Sequence, residues 1–493
     1  MKKVISTLLV AAMVFCSTTA KADNVNLQEA KTAAAYFMAN YKGVDRLTDK
    51  EVVLVHQIDN EKLGIPAAYF FNIGSNGWII LAGTTVIDPI IGYSEEGTLV
   101  MENLPANMMW WVNGYADMVS EVQELDAEND YPDHERWVSF KENKDMYSSK
   151  GDVQHKLMAE VWGQGDDNRP TYNKLCPQNS QGRYAVTGCV ATALAQIIHY
   201  YRSPQQPTGI ASYWLRSQTD DTTMPNVRLR VDFDTIAPFN FLLMPNVPVD
   251  SWGRQQCTDA EMYEVARLSY YVGLSIKMAY SPDGSGALSQ NVPNSMKKYF
   301  KYTEGTLRYR NGNTDWTYVN AIRSELQNGN PLYMSGASST GSGGDAAGHA
   351  WVCSGYKEQD TSQYYMNWGW DGGGNGFFNL GANRMPISGY GYNFNVRQAV
   401  VLNMHPTAAP QGIADVDHTL LKSPYPNPAV QTVTLPFYTE NASDLMIYSI
   451  DGKLVTSCRV QAGYGEATVD VNNLPAGVYI YRLNSQSGKF IVQ

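Results

Sequence analysis

Gly182-Arg-Tyr-Ala-Val-Thr-Gly-Cys-Val-Ala-Thr-Ala-Leu-Ala-Gln-Ile-Ile-His-Tyr-Tyr201 decides how the rest of the chain is read. From Cys189 to Ile198 the residues are small or apolar on nearly every face, the pattern of a helix buried all round. Pro204 marks its end, and Thr187 and Gly188 are stop-and-cap residues at its start. Cys189 therefore falls in the first turn, where unpaired N–H groups and the positive end of the helix dipole favour a thiolate. A free thiol of pKa about 8.5 is only a few per cent ionised at neutral pH, and a helix terminus contributes less than about one pKa unit. A nucleophile here needs a cationic partner. Without one, Cys189 is a structural cysteine in an Ala-rich core helix.

The partner that the sequence offers is His349, in Gly341-Ser-Gly-Gly-Asp-Ala-Ala-Gly-His-Ala-Trp-Val-Cys-Ser-Gly355, where a glycine-rich loop delivers an imidazole to the start of an apolar strand. Tyr364-Tyr-Met-Asn-Trp-Gly-Trp-Asp-Gly-Gly-Gly-Asn-Gly-Phe-Phe378 follows, another strand running into a glycine turn. Asn367 offers an amide oxygen to a ring N–H, and Trp368 and Trp370 offer walls against water. Cysteine, histidine and asparagine, far apart in sequence and each at an element end, form the pattern of a nucleophile with its base and orienting group.

Thr187-Gly-Cys-Val-Ala-Thr-Ala193, Gly348-His-Ala350 and Asn367-Trp-Gly-Trp370 resemble the streptopain family of papain-like bacterial cysteine peptidases over about residues 150–405. The resemblance implies a Cys189–His349 dyad oriented by Asn367 or Trp368. It implies an oxyanion-hole role for Gln164, from Trp162-Gly-Gln164 and Thr171-Tyr-Asn173. It also implies a substrate-cleft loop at 284–287, which makes Ser285 and Gly286, with Gly348, the substrate-binding candidates. A hydrophobic residue two positions before the cut is the implied preference.

The chain has 493 residues, a formal net charge of -11, 44% hydrophobic and 17% charged residues. That length calls for two or three domains, and the acidic balance excludes the basic face that nucleic acid requires. The six cysteines, at 16, 176, 189, 257, 353 and 458, show no CxxC spacing, so neither a zinc site nor a dithiol is expected. Loss of Cys16 with a leader leaves an odd number, hence at least one unpaired thiol. HExxH, a phosphate loop and a GxSxG elbow are missing from the sequence, and neither cofactor nor metal is expected. Asp371 with Asn375 reads as a solvated turn rather than a calcium site. His199, ten residues beyond Cys189, reads as a satisfied or surface histidine.

Residues 1–22 read as a secretory signal peptide, with Lys2 and Lys3 before an apolar run too short to span a membrane. Residues 23–150 read as an α+β unit: a helix from Asn26, strands at 51–56, 67–72, 77–82 and 88–93, a helix at 105–123, then a charged, weakly apolar segment. It is either an accessory domain or, as the resemblance implies, an inhibitory prodomain removed by a cut near 147–152. Residues 151–405 read as the α+β papain-like catalytic domain in two subdomains. Besides the Cys189 helix, which ends by Pro204, helices there fall at 259–272 and 292–300, and strands at 331–335, 350–356, 362–367, 376–380 and 396–402.

A linker at 406–418 leads to a small β-sandwich at 419–493, with six short strands and a turn at Asp451-Gly452. Tyr425-Pro-Asn-Pro428, Ile447-Tyr-Ser-Ile-Asp-Gly-Lys453 and Leu474-Pro-Ala-Gly-Val-Tyr479 resemble the C-terminal sorting domain of type IX secretion substrates. A generic binding sandwich is the plainer alternative. The expectation is a secreted cysteine endopeptidase made as a zymogen and exported across the outer membrane of a Gram-negative bacterium. Its partners would be protein or peptide substrates, its own prodomain and the outer-membrane secretion machinery, without nucleic acid. A cysteine-dependent amidase or acyltransferase on the same dyad, or a surface adhesin with a decayed site, are the other classes.

Overall fold

The structure, a computed structural model of the chain, describes residues 23–44, 47–129, 131–144, 152–166, 170–250, 253–311, 315–337, 348–380, 398–407, 424, 426–439, 443–450, 453–461, 463–483 and 486–493. The leader, nearly all of the expected cleavage stretch, the loop 341–347, most of the linker, Tyr425, residues 396 and 397, and the turn at Asp451-Gly452 lie outside the described residues. Two compact units emerge. One takes 23–101 and 112–144, and the other takes 102–111, 152–380 and the described residues from 398 on.

In the first unit, α1 (Leu27–Lys42) starts where the Asn26 side chain accepts the Glu29 N–H and stops at Gly43, which takes the left-handed φ of 64°. Its buried face, with Ala30, Ala34, Phe37 and Met38, packs on an antiparallel sheet of β1 (Val52–Asn60), β2 (Ile65–Ile73), β3 (Trp78–Ala82) and β4 (Ile90–Ser94) in sequential order. Helix α2 (Ala106–Asn129) is longer than the sequence pattern suggests. The charged stretch after it also holds α3 (Glu135–Lys141), whose apolar content is little more than Trp137, Val138 and Phe140. The first six residues of α2 pack with the second unit.

The second unit has a helical half and a stranded half. Helix α4 (Cys189–Tyr201) is buried from Val190 to His199 and packs on α5 (Asp259–Ser275). A capping box of Thr258 and Glu261 starts α5. Helix α6 (Asn291–Phe300) and a hairpin of β6 (Ile210–Trp214) with β7 (Arg228–Asp232) complete this half.

In the other half, β5 (Gln154–Lys156), β8 (Thr306–Tyr309), α7 (Trp316–Gln327), β9 (Leu332–Ala337), β10 (Gly348–Lys357), β11 (Gln363–Asn367), β12 (Gly376–Asn379) and β13 (Ala399–Leu402) surround the central strand β10. The spatial order is β12-β11-β10-β9-β13-β8. One edge of β10 pairs with β9 over residues 348–353 and with β5 over 355–357. Strand β8 and the β6–β7 hairpin escaped the sequence reading because their apolar alternation is short and broken by charge; α7 was also passed over, although Tyr318, Val319, Ile322 and Leu326 recur at helical spacing.

The six expected C-terminal strands are present as β14 (Thr432–Thr439), β15 (Ser443–Ser449), β16 (Leu454–Val460), β17 (Gly463–Asp470), β18 (Gly477–Leu483) and β19 (Gln486–Val492). Among the described residues they form a β14–β17 pair and a sheet in the order β16-β15-β18-β19. Their inward side chains, including Val433, Leu435, Ile447, Tyr481 and Phe490, make one core.

Candidate active site

Cys189 is the first residue of α4, and the residue before it has to be glycine. Gly188 has φ 86°, and a Cβ there would lie 2.8 Å from both the Met278 sulfur and the Ser285 carbonyl oxygen. No side chain caps the helix, contrary to the capping role expected near Thr187; the Thr187 hydroxyl is instead hydrogen-bonded to that of Thr192 at 2.9 Å. The half-buried Cys189 thiol is raised above its ordinary pKa by burial, against the N–H groups of Ala350, Val190 and Cys189 itself, which favour the thiolate. The Ala350 N–H places the sulfur beside the residue that follows His349. The fold therefore brings two segments 160 residues apart to one point. Burial pushes the His349 imidazole below its ordinary value, and among the described residues no charged neighbour raises it. In this state both partners are on the neutral side.

Gln164 lies on a strap, residues 162–164, whose backbone is fastened along its length. The Trp162 N–H donates to Gln196 Oε1 (3.1 Å), and the Trp162 indole N–H donates to the Pro245 carbonyl (2.9 Å). The Gly163 carbonyl accepts from the Thr192 hydroxyl (3.4 Å) and the Gln164 carbonyl accepts from the Thr187 N–H (3.0 Å). The next residue, Gly165, has φ 85° and packs on the Asn173 amide, which itself ties Asp166 to Ala185. The Gln164 side chain is half-buried. Its backbone is held while its amide is left to meet a ligand.

Asn367 is buried, and its amide is engaged away from the imidazole. Its Nδ2 donates to the Glu160 carbonyl (2.6 Å) and to Gln196 Oε1 (2.9 Å), while its Oδ1 accepts the Gly369 N–H (3.1 Å). Trp368 is fully buried with its indole N–H on the Gly374 carbonyl, whereas Trp370 is 42% exposed and walls off nothing. His199 is a core histidine rather than a surface one, with Nδ1 2.7 Å from Glu160 Oε1 and both side chains buried, while its Nε2 has no hydrogen-bond partner among the described residues.

The substrate-loop candidates are placed differently from expectation. The Ser285 hydroxyl donates to the Val186 carbonyl (2.7 Å) and accepts the Ser281 N–H (3.0 Å). Gly286 exchanges both backbone hydrogen bonds with Ala279. The Ser285 hydroxyl and the Gly286 backbone are thus engaged within the protein, to Val186, Ser281 and Ala279. Gly348 is exposed at the start of β10, opposite Ala337.

Residues 102–111 contribute what the sequence reading missed. Asn107 is buried, and its Nδ2 donates to the carbonyls of Trp368 (2.7 Å) and Ala350 (3.2 Å). Trp110 lies over Gly336, the residue paired with His349 across β9 and β10; a Cβ at Gly336 would come within 2.2 Å of the indole. Trp111, Trp351 and Trp368 pack with ring centroids 5.4–6.3 Å apart. The helix thus brings an amide and two indoles to the flanks of His349. Asn107 was invisible because it is one polar residue among apolar ones. Gln196 gave a usable signal: it is the one amide in an apolar helix, seven residues from Cys189 and so on the same face.

Asp371 also departs from the solvated turn expected of it. Its Oδ1 accepts the Tyr172 hydroxyl at 2.5 Å, and burial raises its carboxyl to about 6. Asn375 Oδ1 accepts the Trp368 N–H. All five described cysteines are free thiols.

Residues 162–378 match the Peptidase C10 family. That match takes in Gln164, Cys189, His349 and Asn367, so the segment holding the candidate site is similar to this peptidase family. Residues 22–119 match the Spi protease inhibitor family, and 423–493 match the secretion system C-terminal sorting domain. The tail is thus a type IX sorting domain, and the protein is exported across the outer membrane. Streptopain of Streptococcus pyogenes serotype M1 is 28% identical over 69% of this chain and 80% of its own length. The thiol protease/hemagglutinin PrtT of Porphyromonas gingivalis is 29% identical over 71% of this chain, which spans 39% of that protein's length. A solved Prevotella intermedia prointerpain A fragment shares the fold, with TM-score 0.53 and 23% identity over 72% of this chain and 99% of the fragment.

Proposed function

We propose that the protein is the zymogen of a secreted cysteine endopeptidase, with residues 23–150 as its inhibitory prodomain and 151–405 as the catalytic domain. In the released enzyme the Cys189 thiolate attacks the scissile carbonyl, forming the C–S bond. The His349 imidazolium then gives its proton to the leaving amine as the C–N bond breaks. Water, deprotonated by the neutral imidazole, hydrolyses the thioester and returns the thiol. The oxyanion in each half is met by the Cys189 N–H and the Gln164 side chain, and a single donor of that kind is worth roughly 2.7–4 kcal/mol. The strap beneath Gln164 supports this role, since a preorganised donor pays no reorganisation cost at the transition state.

The observation that carries the zymogen reading is Asn107, whose amide occupies the carbonyl of Ala350 on the His349 strand and that of Trp368 just after β11. With that segment withdrawn, the Trp368 carbonyl is the acceptor for an imidazole N–H. Asn367 acts one step behind it, holding the end of β11 to Gln196. A buried thiol and an uncharged imidazole are the expected resting state of such a precursor. Substrates are proteins or peptides bound across the walls of Cys189 and His349, with a hydrophobic residue two positions before the cut.

The test is Cys189→Ala in the full chain, assayed for new amino termini released from casein in water. The expected result is loss of turnover by on the order of 10⁴ or more, with the precursor left unprocessed. Normal turnover in a folded variant would sink the nucleophile assignment. Product formed by the parent chain only when an amine acceptor is supplied would identify an acyltransferase instead.

A further inference from the structure

A side chain at Gly163 would displace the Asp371 carboxylate. A Cβ there would lie 2.6 Å from Asp371 Oδ1 and 2.8 Å from Oδ2, so the strap crosses directly over that carboxylate. The same carboxylate accepts the Tyr172 hydroxyl at 2.5 Å, and the Gly163 N–H turns to the phenol oxygen. Gly163 N–H, Tyr172 O–H and the Asp371 carboxylate therefore form a relay of hydrogen bonds whose last member is charged, the arrangement in which each bond strengthens the next.

Two features of Asp371 are costly and unexplained by packing. It takes a left-handed φ of 51° although Gly372, Gly373 and Gly374, which would adopt that conformation without strain, follow it directly. It also keeps a partly buried acid where an amide of the same shape would be neutral. The titratable groups facing this pair are Asp250 toward Asp371 and Cys257 toward Tyr172, both of which disfavour added negative charge. Nothing cationic compensates among them.

We propose that Asp371, acting through Tyr172, is a positioning residue for oxyanion stabilisation: it fixes the Gly163 peptide and thereby aims the adjoining Gln164 amide at the developing charge. This rests on the assignment of Gln164 as an oxyanion donor. Asp371 touches neither the thiol nor a substrate. Its effect reaches the reaction only through the strap, and so belongs to the transition state rather than to binding.

The experiment is a double-mutant cycle on the processed enzyme, with Asp371→Asn and Gln164→Ala separately and together, measuring kcat and KM on a peptide. Asn tolerates a left-handed φ, so Asp371→Asn keeps the backbone and removes the charge. Tyr172→Phe provides a second route if that protein does not fold. The expected result is a loss of about tenfold in kcat for Asp371→Asn or Tyr172→Phe with KM within about twofold, against roughly 10²–10³ for Gln164→Ala. In the Gln164→Ala background the loss from either partner should vanish. A loss that persists in full in that background, or that falls on KM, overturns the positioning role while leaving Gln164 in place. An unchanged kcat in Gln164→Ala alone overturns the Gln164 assignment, and the proposal with it.

Discussion

The two sides of the catalytic cleft are built in opposite ways. On the Cys189 side the strap is held from within the same catalytic segment: Gln196, Thr192 and Thr187 bond its backbone and Pro245 accepts the Trp162 indole N–H. On the His349 side the carbonyls of Ala350 and Trp368 are filled by Asn107, which comes from before the catalytic segment, and the strand opposite His349 is covered by Trp110. The difference teaches where control resides. On the proposed zymogen reading, the nucleophile and oxyanion donor can be assembled in advance, because neither reacts until a base is aligned, and latency is imposed on the histidine.

That contrast is broken most severely by removing the Asn107 amide. Asn107→Ala gives up two hydrogen bonds to buried carbonyls, each costing about 1–3 kcal/mol when its partner is left unmade. The unprocessed chain should therefore show a rise of roughly tenfold or more in the rate at which Cys189 reacts with an alkylating reagent at neutral pH, and Trp110→Ala should add to it. An unchanged rate in both variants would place the source of latency elsewhere.

A smaller effect sharpens the description of the Cys189 side. The Asp371 carboxyl is raised from its ordinary 3.8 to about 6, so between those values the folded protein holds a proton that the unfolded chain has lost. Stability from this group is thus fully present below about pH 4, falls as pH rises toward 6, and stays lower above. The cost at neutral pH is at most about 3 kcal/mol, with the opposing hydrogen bond from Tyr172 already included. Asp371→Asn in a Cys189→Ala background should melt a few degrees higher than its parent at pH 8, with the gap closing by pH 4. A gap independent of pH would show that the carboxyl is not perturbed in the folded protein.

The parts of this site that were legible in the sequence are those where local pattern and chemistry coincide. An apolar helix with a cysteine at its start, and a histidine where a glycine-rich run becomes a strand, announce themselves by composition. The sorting tail was equally readable, since alternation fixed all six strands. Side-chain commitments were not readable. Ser285, Gly286 and Asn367 have the right chemistry for substrate or imidazole, but Ala279, Val186, Gln196 and Glu160 reach them first, and those partners lie up to 207 residues away. Asp371 looked like a solvated turn because its partner, Tyr172, precedes it by 199 residues. Charge hid α3, whose face is too short to show a period, whereas α7 carries Tyr318, Val319, Ile322 and Leu326 at helical spacing behind an Asp315 cap and was readable.

The most direct measurement is the pH dependence of labelling at Cys189 by an epoxide thiol-protease inhibitor, with the modified residue located by mass spectrometry, in the unprocessed chain and again after processing. The burial-raised thiol and lowered imidazole predict negligible labelling of the unprocessed chain at neutral pH, rising only above the ordinary thiol value of 9. After processing, the rate should be high and level through neutral pH, as for a thiolate paired with an imidazolium. A level, rapid rate at neutral pH in the unprocessed chain, or no labelling of Cys189 in either form, would contradict the account.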